Sequence, residues 1–427
     1  MKKSWLCAAA LLAVSVLTAC GGGPHRQEEV VEREVQEEVQ VTLWVFPVGN
    51  WGNPTAVTSL LSGFHKQYPE INVSVEYLNY ETGDDKIAQA LAQGHAPDLV
   101  FEGPERLVAD WGDRGLMVDL SDLWALAPSE QIYDNVRKAC CHQNGAYYEY
   151  PLCMSAHCMA INYDMFRETG ALAYLDEENH TWTTEDFIAA VETLQAGGQE
   201  QAGIVYCKNQ SGDQGTRALV NNLCGGSFTD QEHTQYRVDS EENITALELL
   251  CSLGGIRFAP ELSAGDAINL FCSGEAAMTF CWNVSLEIQQ TINNPDLDFE
   301  VFPMAFPTVT GEPRLQAGIW GFGIFDNGDA AKIEAAKTFI RYMTGEDAHY
   351  IRAVRTSTYW PVRDVGNLYV NDMLMEEYSI FTPWVGDYYQ VTPGWTRART
   401  AWWKLLQEVG SGADIREAVR GFPQSEE

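Results

Sequence analysis

Aromatic, carboxylate and guanidinium side chains lie at or near the ends of several strand-like runs in this sequence. An indole or phenol ring can cover the apolar face of a solute while its N–H or O–H still donates a hydrogen bond. Carboxylates accept protons from hydroxyl or ammonium groups, and guanidinium groups pair with carboxylates. These side chains could therefore hold a small molecule in a cleft. The candidate ligand-binding residues are Trp44, Asn50, Trp51, Glu102, Glu105, Arg106, Tyr150, Asp213, Arg217, Trp282, Trp320, Tyr359 and Trp360.

Trp282 is the strongest single candidate. It ends the segment Phe271–Trp282, in which a Gly-Glu-Ala-Ala-Met turn precedes a short apolar run. A family resemblance of this segment, described below, implies a buried strand whose final aromatic ring faces a cleft. The alternative is a tryptophan packed in the core, because the chain has 13 tryptophans and large aromatic residues are mostly buried. Tyr359 and Trp360 are second-rank candidates.

The charged candidates have structural alternatives as well. Glu102 and Glu105 follow a strand-like run and could be acids that offset the macrodipole at a helix start. Asp213 and Arg217 lie in a glycine-bearing loop at the next helix start, where they could contact a ligand or form an internal salt bridge. That loop lacks the lysine and the spacing of a P-loop, so nucleotide binding is disfavoured.

The sequence does not predict an enzyme. No nucleophile elbow, zinc-binding helix or catalytic triad is visible, and no pair of carboxylates stands out as a glycosidase pair. Cysteine and histidine cluster at residues 140–142, 153 and 157–158, but their spacing is not that of paired Cys-x-x-Cys knuckles. We therefore predict no metal and no cofactor, with buried thiols in these positions.

Alternating strands and helices must position these residues. Val41–Phe46, Ile71–Tyr77 and Ala96–Phe101 have the apolar patterns of strands. Asn53 and Pro54 are typical of a helix start, and the apolar spacing that follows predicts a helix that ends near Tyr68. Ligands of open α/β sheets bind outside the carboxyl ends of the strands, so the candidates that follow these strands are expected to converge.

The segment Ala146–Asn162 is predicted to be the first hinge. It contains two short β-type runs, which we expect to separate near Pro151 because proline supplies no backbone donor. A second alternating series begins after it. The predicted fold class is α/β with two lobes, hinge strands and a central cleft. The two alternating series place residues 41–150 in lobe 1 and residues 151–302 in lobe 2. The family resemblance described below implies that residues 303–345 complete lobe 1 and that residues 346–427 belong to lobe 2.

Charge limits the class of partner. The chain has 427 residues, with 60 acidic against 27 basic side chains and a formal charge of -33. This balance disfavours nucleic acid as a partner, and an anionic membrane surface would repel the protein. A membrane contact therefore has to come from another feature of the chain.

The N-terminus supplies such a feature. Residues 1–20 have two lysines, a short apolar run and small residues before Cys20, which is typical of an export signal rather than a membrane span. Leu17–Gly21 resembles the lipobox of bacterial lipoproteins, which implies cleavage before Cys20 and acylation of its thiol. Residues 21–40, glycine-rich and then glutamate-rich, are predicted to be a flexible tether. The other nine cysteines beyond the signal cannot all pair with one another, so some thiols must be free.

Several segments resemble one known family. Four parts of the chain carry the resemblance: the first strand and helix with the Tyr-Pro-Glu-Ile-Asn-Val strand that follows, Ala-Pro-Asp-Leu-Val-Phe, Trp111–Leu123 and Phe271–Trp282. They are similar to parts of the extracellular sugar-binding proteins of ABC importers. The resemblance runs from about Val41 to the C-terminus. It implies two α/β lobes that close on a ligand by a hinge motion. It also implies a monomer on the extracellular face of the bacterial membrane, lipid-anchored at Cys20, that captures a carbohydrate and delivers it to permease subunits.

Two other functions are compatible with the same residues. A receptor for a polyamine or another cation would enclose an ammonium group between aromatic rings and carboxylates. A surface-anchored glycosidase would need two carboxylates held across a scissile bond. The sequence favours a carbohydrate receptor because several tryptophans offer stacking surfaces, but it does not identify the sugar.

Overall fold

The structure is a computed structural model that describes residues 38–213, 215–230, 234–387 and 391–422. The predicted export signal, the acylated Cys20 and residues 21–37 of the predicted tether lie outside the described residues. The predicted tether is two residues too long, because its last two residues, Val39 and Gln40, belong to strand β1.

Strands and helices alternate through the described residues, as the predicted α/β class requires. The strands are β1 (Val39–Val45), β2 (Ile71–Tyr77), β3 (Leu99–Glu102), β4 (Tyr150–Ala156), β5 (Cys158–Asn162), β6 (Gly203–Tyr206), β7 (Ile256–Ala259), β8 (Met278–Trp282), β9 (Val301–Met304), β10 (Leu315–Ile324), β11 (Trp360–Pro361) and β12 (Val385–Asp387). The helices are α1 (Pro54–Gln67), α2 (Gly83–Ala92), α3 (Pro104–Leu107), α4 (Ser121–Trp124), α5 (Asp134–Cys140), α6 (Tyr163–Thr169), α7 (Thr184–Ala196), α8 (Thr216–Cys224), α9 (Glu241–Ser252), α10 (Ala264–Cys272), α11 (Val284–Asn293), α12 (Ala330–Thr344), α13 (Asp347–Ser357), α14 (Met373–Ser379), α15 (Trp395–Gly410) and α16 (Ile415–Arg420).

Local sequence signals set several of these bounds. The Asn53 side chain accepts a hydrogen bond from the Thr55 backbone N–H, and Pro54 takes the first position of α1, as predicted. Strand β2 has the predicted bounds, with Ile71 and Val73 buried. Thr183 and an acid three residues later form a capping box that starts α7.

The larger sheet has seven strands in the order β11-β4-β10-β3-β1-β2, with β12 beside β10. Strands β1, β2 and β3 are parallel, and β10 runs antiparallel to both β3 and β4. Helix α12 packs against β1 on one face of this sheet. Helix α13 packs against α12 and β4, so residues 347–357 belong with this sheet rather than with the second lobe predicted for them.

The second body of β structure consists of a three-stranded sheet, β8-β5-β9, and the parallel pair β6-β7. The Met278 backbone N–H donates to the Ala202 carbonyl at 2.9 Å and thereby joins the two pieces. Helix α15 packs against β7, and α8 packs against β8. This body and its helices form the second lobe.

The chain passes between the sheets at His157, not at Pro151. Strand β4 includes Pro151 and pairs with β10 through Ala156, whereas β5 pairs with β8 and β9. Pro151 is tolerated inside β4 because it lies opposite Gly321 and next to a bulge in its own strand, where Leu152 is the extra residue between the Trp320–Cys153 and Gly321–Pro151 pairs. The His157 backbone N–H donates to the Gln316 carbonyl at 2.9 Å, where the chain returns to the larger sheet.

Two later crossings also follow from sheet membership. Strand β9 pairs with β5 and β10 pairs with β4, so the return crossing lies between Met304 and Leu315. Strand β11 still pairs with β4, and the final crossing therefore comes after Pro361. Tyr359 and Trp360 thus belong to the larger sheet's side, although the sequence suggested that the chain had already crossed.

All nine cysteines in the described part of the chain are free thiols. Most are buried, Cys140 and Cys153 among them, and Cys251 on α9 is exposed. Burial raises the pKa of the Cys153 thiol to about 12, so it stays protonated. Among the described residues, no helix is long and apolar enough to cross a membrane.

Candidate functional site

A cavity of about 670 Å³ opens between the two sheets, where several strands end. The larger sheet's side contributes the turn after β1, the end of β3, α3 and β10 to its walls. The second lobe contributes the turn after β6, the end of β8, and helices α10, α11 and α15. This is the position expected for a ligand site in an open α/β fold, and the volume is that of a small-molecule site. The predicted binding residues that line it are Asn50, Glu102, Glu105, Arg106, Asp213, Trp320 and Tyr359.

Trp320 and Tyr359 form a stacked aromatic platform in the cavity wall. Their ring centroids are 4.7 Å apart and their planes differ by 15°. The Tyr359 hydroxyl is held by the Ser285 side chain and the Gly49 backbone. The Trp320 ring lies over Gly318, where a Cβ atom would come within 1.9 Å of its Cη2. The glycine therefore permits the ring to lie against the backbone of β10.

Arg106 is the centre of a charged cluster at the end of β3. Its Nε and Nη2 contact the two carboxylate oxygens of Asp84 at 2.7 and 3.1 Å. Its Nη1 contacts Glu102 at 2.7 Å and Glu105 at 3.3 Å. The contact with Asp84 is bidentate, the strongest geometry available to an arginine, whereas Glu102 and Glu105 share one nitrogen of the guanidinium group.

Arg399 on α15 extends this cluster across the cavity. Its Nη1 lies 3.1 Å from Asp84, and its Nε lies 3.7 Å from Asp213. Asp213 in turn contacts Arg217 at 2.5 Å. Positive and negative groups thus alternate from the larger sheet to the second lobe, so that the carboxylates at the cavity are offset by arginines.

Burial sets the protonation of several groups here. Burial raises the pKa of Glu102 to about 8, because the nearby Arg106 offsets only part of the desolvation. Burial also raises the pKa of Asp213 despite its contacts with Arg217 and Arg399. Burial opposes ionisation of Asp84 too, but Arg106 and then Arg399 lower the pKa of Asp84 below its usual value.

His157 lies in the cavity wall at the crossing between β4 and β5. Its ring is edge-on to Trp320, with centroids 6.1 Å apart. Burial and the charge of Arg217 lower the pKa of His157 to about 4. The imidazole is therefore neutral near pH 7 and adds no charge to the cavity.

Trp282 lies in the core and does not line the cavity, which corrects its predicted placement. Its indole N–H donates to the Tyr378 hydroxyl at 2.8 Å and also approaches Glu287. Its neighbour Cys281 lines the cavity, and successive residues of a strand face opposite sides. The alternation in β8 puts Met278, Phe280 and Trp282 on one side and the smaller Thr279 and Cys281 on the other, so the sequence pattern favoured the core for the face that carries Trp282.

Three more of the predicted residues are buried away from the cavity. Trp51 donates its N–H to the Ala353 carbonyl at 3.3 Å and packs against phenylalanine rings. Tyr150 packs against Trp124. Arg217 is fully buried, with its guanidinium 4.5 Å from the Trp395 ring centroid, so it supports Asp213 from behind the cavity wall.

Trp44 and Trp360 are half-buried outside the cavity. Trp44 points away from the core-facing side of β1, and the Lys86 ammonium lies 5.2 Å from its ring. Trp360 packs edge-on against Tyr369. Neither ring is available to a solute in the cavity.

The sequence analysis missed several lining residues. Asn283 and Ser285 follow β8 directly, so the strand-end rule that led to Trp282 could have found them. Tyr80 also lines the cavity, and the same rule could have found it because it follows β2 by three positions. Trp395 and Arg399 line the cavity from α15, and no local pattern marks them.

Metal ligands do not assemble in the described residues. No group of three or more histidine, cysteine, aspartate or glutamate side chains in this part of the chain could hold an ion. The cysteines that the sequence suggested as possible zinc ligands include Cys140 and Cys153, which are both buried as free thiols. The buried Cys140 thiol has a raised pKa, first through desolvation and then through the nearby Glu149.

Two α/β lobes that enclose an aromatic and polar cavity at their strand ends define the class of two-lobed solute-binding proteins. Residues 50–350 match the family described as bacterial extracellular solute-binding proteins. The chain belongs to this family, which confirms the resemblance seen in the sequence. The family and its structural relatives are binding proteins rather than enzymes.

Solved structures with the same fold cover most of the chain. One is an ABC transporter solute-binding protein from Thermotoga lettingae bound to α-D-tagatose, with a TM-score of 0.73, 18% identity, and coverage of 90% of this chain and 97% of the other. The GacH receptor of Streptomyces glaucescens, solved unliganded and with acarbose, has a TM-score of 0.71 and 17% identity, covering 90% and 96%. A solute-binding protein from Agrobacterium radiobacter in complex with ribitol has a TM-score of 0.68 and 21% identity, covering 90% and 97%.

These likenesses confirm the predicted fold class, a two-lobed α/β protein. At such identities they establish the fold alone. The comparison with curated protein sequences found no match.

Proposed function

We propose that this protein captures a carbohydrate in the cavity between its lobes and delivers it to the transmembrane subunits of an ABC importer. The observation that carries this proposal is the Trp320–Tyr359 platform, a fixed pair of stacked rings in the wall of a cavity that is otherwise partly polar, with Trp320 7% and Tyr359 4% exposed. A pyranose has an apolar C–H face that packs on such a ring, and its hydroxyls need hydrogen-bonding partners at the edges.

Polar side chains around the platform can supply those partners. Asn50, Gln210, Asn283 and Ser285 line the cavity and combine donors with acceptors. The charged groups there are offset by one another, because Arg106 and Arg399 contact each of the nearby carboxylates. A neutral solute rich in hydroxyls matches this arrangement.

The same charge balance disfavours the polyamine receptor. A polyamine would require carboxylates free to pair with ammonium groups, whereas Glu102 and Asp213 already contact arginines. The glycosidase is disfavoured as well, since Glu102 and Asp213 each contact an arginine side chain and are not free to act on a bond held between them. We therefore infer a binding role with no catalytic residues.

We further propose that the export signal is cleaved before Cys20 and that its acylated thiol anchors a monomer to the extracellular face of the membrane. Residues 21–37 would then separate the folded body from the lipid. A Cys20→Ser variant should leave the membrane fraction and appear in the medium; retention of the variant in the membrane would contradict this anchor.

Thermal unfolding in the presence of a carbohydrate panel tests the binding function. A solute that binds only the native state raises Tm. At a solute concentration of 100 times Kd, it adds about 2.7 kcal/mol to the free energy of unfolding. We expect at least one mono- or oligosaccharide to raise Tm, and Trp320→Ala to abolish that shift. Trp44→Ala is the matched control, because this ring lies outside the cavity.

Two results would overturn the proposal. A shift with spermidine or putrescine and none with any sugar would identify a cation receptor. Release of shorter sugars from incubated oligosaccharides would identify an enzyme. Loss of the sugar response in both tryptophan variants would mean that Trp320 has no specific part in binding.

A further inference from the structure

One face of helix α11 lines the cavity. The lining residues Ser285, Ile288, Gln289 and Ile292 are spaced by three, four and seven positions, which places them on one side of the helix. The face begins with a hydroxyl, and toward the end of the helix the aliphatic Ile288 and Ile292 alternate with the amides of Gln289 and of the neighbouring lining residue Asn293.

Ile292 is 73% exposed, although a large aliphatic side chain is normally covered. Other aliphatic residues extend the same wall: Ala264 and Ile268 from α10, and Leu286 from α11. Aliphatic side chains offer no hydrogen bonds, so a sugar hydroxyl held against them would lose its hydration without compensation. The part of the solute that contacts this wall should therefore be apolar.

The aliphatic wall is continuous with the aromatic platform. Ser285 holds the Tyr359 hydroxyl, and its own hydroxyl lies 3.4 Å from that of Thr358. From Ser285 to Ile292 the helix rises roughly 10 Å at 1.5 Å per residue. That length accommodates an aromatic ring or an alkyl chain of several carbons attached to a sugar on the platform.

We infer that the cavity binds a carbohydrate carrying an apolar substituent, such as an aryl or alkyl glycoside. The sugar ring lies on Trp320, and the substituent lies along the aliphatic face of α11 and contacts Ile288 and Ile292. This inference rests on the proposed carbohydrate function and adds the chemical class of the solute to it.

The test compares methyl and phenyl glycosides of glucose, galactose and mannose by titration calorimetry, beside the unsubstituted sugars. For at least one sugar we expect the phenyl glycoside to bind ten times more tightly than the methyl glycoside or better, the gain expected for apolar groups filling a pocket. Ile292→Ser should remove most of the difference in affinity between the phenyl and the methyl glycoside, whereas Ile292→Met should retain it. Val309→Ser is the matched control, because Val309 is 63% exposed and does not line the cavity.

Each other outcome contradicts the inference in a distinguishable way. Equal affinity for both glycosides, or binding of free sugars alone, refutes the apolar substituent and leaves the carbohydrate function intact. A phenyl preference that persists in Ile292→Ser refutes the position of the subsite. Dimerisation that is lost in Ile292→Ser would show that a second copy covers this residue. Absence of binding by every carbohydrate refutes the proposed function and the inference with it.

Discussion

Asp84 is the residue at which ion pairs from the two lobes meet, and we predict that its contact with Arg399 stabilises the closed cavity. A solute must enter between the lobes, so capture requires this contact to form and release requires it to break. The perturbation is a double-mutant cycle of Asp84→Asn and Arg399→Gln. The cycle subtracts any direct contact that Arg399 makes with the solute, because only the coupling between the two changes is evaluated.

The magnitude follows from the geometry. At 3.1 Å, two unit charges attract by about 5 kcal/mol at an effective dielectric constant near 20. Most of this is offset on opening, because both groups regain water and each keeps a partner in its own lobe, Asp84 with Arg106 and Arg399 with Asp213. We therefore expect a coupling of about 1 kcal/mol in solute binding, roughly a fivefold change in Kd.

The assay is titration calorimetry of the four proteins with a sugar that raises Tm, at low and high salt. Screening should weaken binding by the wild type more than by the double variant. Arg416→Gln is a matched control, since Arg416 forms an exposed ion pair with Glu241 that lies outside the cavity. A coupling indistinguishable from zero, or the same salt dependence in wild type and double variant, would refute the reasoning.

Three further predictions concern single residues. Gly318→Ala should displace the Trp320 ring, because the new Cβ would lie 1.9 Å from it. Calorimetry should then show solute affinity reduced at least about tenfold, with little loss of Tm. Unchanged affinity would contradict this prediction. Glu102→Gln should flatten the pH dependence of stability. Because the pKa of Glu102 is raised in the native protein, its contribution to the free energy of unfolding is fully present below about pH 4.5 and is lost as pH rises toward 8. Urea unfolding of both proteins at a series of pH values measures the difference. Parallel profiles would be evidence against this prediction. Trp282→Ala should lower the free energy of unfolding in urea by about 3 to 5 kcal/mol, while the folded variant still binds solute. A variant of normal stability that does not bind would show that Trp282 belongs to the binding site.

Much of the fold could be predicted because its signals are local. Asn53 and Pro54 define the start of α1 through a side-chain cap and a fixed backbone angle, which need no distant partner. The strand-end rule placed Asn50, Glu102 and Glu105 at the cavity because strand direction alone determines where such residues emerge.

The remaining features depend on contacts between distant segments. Pro151 was expected to divide the hinge, but a bulge at Leu152 of the same strand accommodates it, and the place of that bulge depends on the pairing with β10. Trp282 was expected at the cavity, although Met278, Phe280 and Trp282 form the more apolar face of β8, opposite Thr279 and Cys281. Arg399 reaches Asp84 across 315 positions of the chain, so only the tertiary fold reveals the pair.

Among the described cysteines Cys251 is the exposed one, near the end of α9 in the second lobe. A thiol-reactive dye added to the folded protein should therefore attach there first, without removal of the other sulfhydryls. Paired with a second fluorophore introduced on the larger sheet's side, that label would report the distance between the lobes as solute arrives. The chain thus already provides half of an optical sensor for its own ligand.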